Sequence, residues 1–310
     1  MEYETVGAAV DGSAVGQPKY KVKSKRKPLE VVMNTIFFLC GMVAVAFVLI
    51  ISVYLVISGM PAILEIGPIN FLFGTRWYAS TNDFGILAII LTSFAGTAGA
   101  IIIGVPIGLM TAIFLAKVAN PKLAKVVHTA VELLAGIPSV VYGLVGMILL
   151  VPAIRVAFNL PSGATLLAAI IVLSVMILPS IISVSETSLR AVPREYEEAS
   201  LALGATHIET VFRVTVPAAR SGIATAIVLG IGRAIGEAMA IIMVAGNVAN
   251  MPGLLTPVRF LTTAIASEMS YASVGSTHRN ALFSIGLVLF LFIMMINVFL
   301  NVFIKNKKEV

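Results

Sequence analysis

From Val31 to Leu64 the chain carries no Asp, Glu, Lys or Arg, and that run constrains the fold more than any other feature. A bilayer core about 30 Å thick is crossed by roughly 20 apolar residues of helix. Within it every backbone N–H and C=O needs an internal partner, which a helix supplies. Comparable runs recur along the chain. The expected spans are Val31–Ile57, Phe84–Ala116, Leu133–Ala153, Ala164–Ser185, Ser221–Gly246 and Ala281–Ile304. Hydrophobic residues make up 59% of the 310 and charged residues 12%, against about half and about a quarter in a soluble domain. The expected fold is therefore an all-α integral membrane protein with about six transmembrane helices. Gly104, Pro106 and Gly108 mark an expected bend in the second span, and Pro138 and Pro179 lie within the third and fourth.

The basic residues orient these spans. Six fall in the N-terminal arm, three at Lys117, Lys122 and Lys125, four at Arg190, Arg194, Arg213 and Arg220, and three at Lys305, Lys307 and Lys308. The opposite side holds Arg76, Arg155, Arg259 and Arg279, and Arg233 sits within a span. Positive charge gathers on the cytoplasmic side, so both termini and the loop between spans four and five are expected there. The organisation read from this is a basic arm at 1–30, a first transmembrane helix at 31–57 and an external loop at 58–83. A core with five further helices follows at 84–304, with a cytoplasmic loop at 188–220 and a tail at 305–310. The first apolar run is about twice the length of a signal-peptide core, which points to a retained anchor, and the small, polar start of the arm is expected to be disordered. Trp77 and Tyr78 in the external loop suit a membrane interface.

Several function classes drop out. The net charge of +6 lies at the ends of apolar runs and not in a basic patch with aromatics, which argues against nucleic acid. Cys40 is the only cysteine, and His128, His207 and His278 lie far apart in sequence with no second His or Cys at helical spacing, so no metal site is expected. No nucleophile–base constellation stands out either.

The loop at 188–220 carries the densest local signal. Pro193 suits a first helical position, Glu195, Glu197 and Glu198 favour the positive end of the helix dipole, and Gly204 supplies a helix stop. Thr206 followed by Glu209 is a capping-box pattern, and Ile208, Val211 and Phe212 are expected on one face of the helix it opens. By these signals the loop is either an interfacial helix pair or a docking element for a cytoplasmic partner. Glu198-Ala199-Ser200, three residues, Gly204, nine residues and Val214-Thr215-Val216-Pro217 resemble the EAA loop of ABC importer permeases. That family pattern is Glu-Ala-Ala, three, Gly, nine, Ile-x-Leu-Pro; Ser200, Val214 and Val216 depart from it conservatively. The resemblance implies a type I ABC importer permease fold from about Phe84 onward. It also implies a coupling helix seated on an ATP-hydrolysing subunit, with Glu198, Ala199, Ser200, Gly204 and Pro217 in the docking role. The sequence has no Gly-Lys dipeptide and so no P-loop; ATP and Mg²⁺ are expected in a partner ATPase, with no cofactor in this chain.

Arg233 and Glu237, in Gly232-Arg-Ala-Ile-Gly-Glu237, lie inside the fifth span. An Arg near mid-bilayer costs at least ~2.5–3.5 kcal/mol on insertion scales, so it needs a partner or a polar path. With Glu237 four residues on, the pair is either a self-satisfied intrahelical salt bridge or a fixed cationic point on the path of an anion. This segment, together with Leu134-Ala-Gly-Ile-Pro-Ser-Val-Val-Tyr-Gly143, is similar to phosphate ABC transporter permeases of the PstC type. That resemblance implies a heterodimer with a PstA-like permease, a pair of PstB-like ATPase subunits, an external PstS-like phosphate-binding protein, and Arg233 and Glu237 on the substrate path. Another oxyanion, molybdate or sulfate, is the alternative substrate. A secondary transporter is the alternative class, although no internal repeat of the kind it would need is apparent. Ser139 and Tyr142 are not expected to touch the substrate; Pro138 and Gly143 need mean only a kink and close packing.

Overall fold

The computed structural model describes residues 28–306, with side chains from 29 to 298. The basic arm up to residue 27 and the tail from residue 307 lie outside the described residues. The chain divides into two units at Ile51 and Ser52. In the first, residues 28–51 are helical and every side chain from 29 to 51 is exposed, an apolar surface that lipid accepts and water does not.

That helix, α1, spans Pro28–Ile66 and outruns the span expected to end at Ile57. It stops at Gly67, whose positive φ of 90 leaves the helical region at no Cβ cost. Helix α2 (Pro68–Phe73) follows, then a two-stranded hairpin, β1 (Trp77–Tyr78) and β2 (Asp83–Phe84), with Trp77 opposite Phe84. The segment 58–83, expected as a loop, is thus largely structured. Helix α3 (Leu87–Ile113) runs into a π turn at Phe114–Val118. Helix α4 (Pro121–Gly136) is capped by Asn120, whose side chain accepts from the Leu123 N–H at 2.8 Å. Ile137 is forced extended (ψ 127) by the proline after it. The span expected at Leu133–Ala153 therefore shifts to Ser139–Ala157, built from α5 (Ser139–Val145), a π turn at Gly146–Leu150 and α6 (Val151–Ala157).

Helix α7 (Leu166–Arg190) forms the centre of the second unit. The loop after it holds α8 (Arg194–Ala202), α9 (His207–Thr210), a π turn at Val211–Thr215 and α10 (Val216–Ala218). A bend of 71° leads into α11 (Arg220–Gly236). After it come α12 (Met239–Val244), α13 (Leu261–Glu268) and α14 (Thr277–Asn306). Among the described residues five helices are long and apolar enough to cross a membrane, and the bent pair ending in α11 makes a sixth.

Glycines set how closely the spans meet. A Cβ on Gly99, Gly104 or Gly108 of α3 would stand 2.6, 2.7 and 2.8 Å from the Ile170, Ile177 and Ile181 side chains of α7. These are distances no packed interface tolerates. Without a hydrophobic drive between helices in lipid, such close backbone approach supplies much of the association energy. Gly104 and Gly108, singled out as bend residues, are in the structure contact residues.

Candidate translocation path and docking loop

The fifth apolar segment is not one helix. α11 ends at Gly236, Glu237 is extended (φ −73, ψ 130), and α12 restarts at Met239. Arg233 therefore sits in the last turn of α11, where the helix dipole favours a cation, while Glu237 lies in the break. Of the two readings of the pair, the i,i+4 salt bridge does not form, because the helix that would align the two side chains has ended. Glu237 instead turns to the next helix: its Oε1 accepts from the Ala240 N–H at 3.1 Å. Its main-chain carbonyl accepts from the Thr262 hydroxyl at 2.6 Å. Among the described residues Arg233 has no hydrogen bond or ion pair. The Tyr142 phenol of α5 donates to the Leu134 carbonyl at 2.7 Å. α5 lies directly against α12, since a Cβ on Gly143 would stand 2.8 Å from the Ala240 Cα.

At the far end of the second unit is a network with no local signature in the sequence. Glu268, at the end of α13, accepts from Trp77 Nε1 at 2.9 Å and from His278 Nε2 at 2.7 Å. It also pairs with the Arg259 guanidinium. Arg259 in turn donates through Nε and Nη2 to the Asn247 carbonyl at 3.0 and 2.8 Å. His278 stacks on Phe84, rings 5.8 Å apart and 8° from parallel. Burial pushes the Glu268 carboxyl up, but bonds from Trp77 and His278 and the Arg259 charge outweigh it and hold the group below the usual carboxylate range. Trp77 is buried, not at an exposed interface position; its N–H has an acceptor inside the fold, which is where a buried indole settles. Tyr78 beside it is exposed.

The loop after α7 is built as its punctuation reads. Gly204, at φ 87, closes α8 with Gly204 N–H to Leu201 O at 2.9 Å and Ala205 N–H to Ser200 O at 3.3 Å. This is the double closure of a Schellman turn. Thr206 and Glu209 form the full capping box of α9, and the Thr206 N–H and hydroxyl hold the Glu209 carboxyl below its ordinary range. Ser200 and Thr210 hydroxyls meet at 2.9 Å and tie α8 to α9. Glu197 pairs with Lys117 and accepts from Thr215 at 3.1 Å, and His207 Nε2 donates to the Lys117 carbonyl at 3.0 Å. These contacts fasten the loop to the end of the α3 span. Glu198, Ala199 and Gly204 stay exposed, with Leu203 90% and Ile208 69% accessible. Val211 is buried and does not share the face of Ile208 and Phe212; it turns with Thr210 and Thr215 into the body through the π turn. A groove of about 550 Å³ bordered by Lys117, Arg190, Arg194, Glu197, Glu198 and His207 opens beside the loop.

The profile described as "Binding-protein-dependent transport system inner membrane component" matches residues 104–308. The chain is 39% identical over 295 residues to the probable ABC transporter permease protein YqgH of Bacillus subtilis, covering 92% of this chain and 96% of that one. It is 35% identical over 271 residues to the phosphate transport system permease protein PstC of Xylella fastidiosa, covering 80% and 83%. With the PstC of Haemophilus influenzae it shares 33% over 279 residues, covering 84% and 88%. In fold it resembles a chain of a bacterial alginate ABC transporter solved with a periplasmic protein (TM-score 0.60, 14% identity, 91% and 96% covered). It also resembles one of the methionine ABC transporter MetNI in an inward-facing form (TM-score 0.54, 23% identity, 72% and 94% covered).

Proposed function

The chain belongs to the binding-protein-dependent transport family of ABC importer permeases, and from that premise we propose that it imports phosphate as one half of a heterodimeric path. A permease of this family is a transport subunit without catalysis of its own, and ATP-Mg²⁺ is bound and hydrolysed in a separate chain. The geometry that carries the oxyanion reading is the break at Glu237. It leaves Arg233 in an apolar segment with no carboxylate upon it among the described residues. A guanidinium matches tetrahedral oxygens bidentately. Glu237 keeps a second carboxylate oxygen that can accept a hydrogen bond from the P–OH that phosphate carries at neutral pH and sulfate lacks. The PstC relatives favour phosphate over molybdate or sulfate.

The exposed face at Glu198–Gly204 is the surface for a PstB-like ATPase. A PstA-like permease and a PstS-like external binding protein complete the assembly. The distribution of Lys and Arg supports cytoplasmic termini and a cytoplasmic docking loop in the cell membrane. ATP binding draws the docking loops together, and the spans reorient around the break, provided the ATPase binds one orientation more tightly than the other.

The test is uptake of radiolabelled phosphate in cells lacking a high-affinity system. The chain is co-expressed with its genomic neighbours, with and without a P-loop mutation in the ATPase. Uptake should require both this chain and the intact ATPase, and should vanish in Glu198→Lys. ATPase-dependent uptake of molybdate or sulfate in place of phosphate would reassign the substrate. Uptake indifferent to the ATPase mutation would overturn the docking assignment.

A further inference from the structure

Breaking a helix inside a membrane exposes backbone groups that lipid cannot satisfy, so the break at Glu237 must be held by something. The Glu237 side chain covers the first of them, the Ala240 N–H. The Glu237 carbonyl is covered from outside the segment, by Thr262 of α13 at 2.6 Å. Thr262 stands on an element fixed at several other points. The Leu261 N–H donates to Ser93 Oγ of α3 at 2.9 Å. The Phe260 N–H is held by Thr263 at 2.9 Å. Arg259 and Glu268 close the two ends of α13 upon each other. The neighbouring Thr263 hydroxyl is spent on its own helix start, whereas that of Thr262 reaches across 25 residues to the break.

Resting on the oxyanion path proposed above, we infer that Thr262 is a positioning residue of that path. Its hydroxyl pins the main chain of Glu237, which keeps the Glu237 carboxylate on α12 and off Arg233. With that bond gone, the extended residue relaxes toward helical geometry. The i,i+4 pair then forms across the path and neutralises the cation meant for the substrate.

The test compares Thr262→Val, which keeps the shape and removes the donor, with Thr262→Ser, which keeps the donor. Both are assayed in the whole co-expressed transporter, with Arg233→Gln alongside. Assembly is measured as co-purification of the ATPase subunit. At equal assembly Thr262→Val should lower the maximal phosphate uptake rate roughly tenfold, and Thr262→Ser should stay within about twofold of the parent. Uptake by Thr262→Val within about twofold of the parent, with Arg233→Gln inactive, would overturn the inference and leave the path standing. Equal losses in Thr262→Val and Thr262→Ser would overturn it as well, since packing and not the hydroxyl would then matter. If Thr262→Val does not assemble, Thr262→Ala takes its place. Failure of both to assemble would assign the hydroxyl to folding and overturn the positioning role. Normal uptake by Arg233→Gln would instead remove the path on which the inference rests.

Discussion

Arg233 and Arg259 are both arginines of a chain made mostly of apolar residues, yet their surroundings are opposites. Arg259 is closed on every side: Glu268 takes one nitrogen, the Asn247 carbonyl takes two more, and Trp77 and His278 occupy what remains of the carboxylate. Arg233 stands at the end of a half-span, and the acid four residues on has turned away to cap another helix. A charge enclosed with its partners holds a fold in one arrangement. A charge presented in a low-dielectric segment without a partner attracts whatever anion can reach it. The lesson is that the partner set, and not burial, separates the enclosed cation from the one left open to a ligand.

The comparison breaks first at Arg233. Arg233→Gln should lower phosphate uptake about thirtyfold or more, from the ~2–5 kcal/mol lost when one member of a desolvated charge contact is removed. The melting temperature of the purified complex should stay near that of the parent. If uptake holds and melting falls, the two arginines share a structural role. Arg259→Gln should do the reverse. Removing one partner of a buried pair costs about 3–5 kcal/mol, read as a lowered melting temperature and a smaller yield of complex, while the assembled fraction transports at near the parent rate. A fully stable Arg259→Gln that does not transport would place Arg259 on the path instead.

How far these two regions were legible follows from the range of the interactions that build them. The docking loop was read in detail because its signals are local. Gly204 closes a turn with residues three and four positions back, and Thr206 and Glu209 cap one another within one helical turn. Even there Val211 leaves the face of Ile208 and Phe212 and is buried with Thr210 and Thr215. Arg233 and Glu237 stand out as charges in an apolar run, but of their two readings the paired one assumed a continuous helix. The break receives a hydrogen bond from Thr262, 25 residues away, which nothing within the span announces. The Arg259 network was missed altogether. Trp77 and Glu268 lie 191 residues apart; Trp77 alone reads as an interface aromatic, and Glu268 carries no local signal. A short spacing can be seen in a sequence; a meeting of distant loops needs the fold.

A milder perturbation, acid, sharpens the contrast without altering any residue's shape. The Glu268 carboxyl titrates below the usual carboxylate range in the fold, because donors from Trp77 and His278 and the Arg259 charge outweigh its burial. Unfolded, it returns to about pH 4.3. Its contribution is then complete above that unfolded value and is lost as pH falls through the lower folded one, because the unfolded chain takes up the proton first. Between pH 7 and about pH 5 melting of the purified complex should owe no slope to Glu268. Below about pH 4.3 the parent should lose melting temperature more steeply than Glu268→Gln, which starts lower and has no such proton to gain. Parallel curves for the two proteins through that window would mean that Glu268 is not the group that closes the Arg259 site. The enclosure that distinguishes Arg259 from Arg233 would then have to come from the Asn247 carbonyl alone.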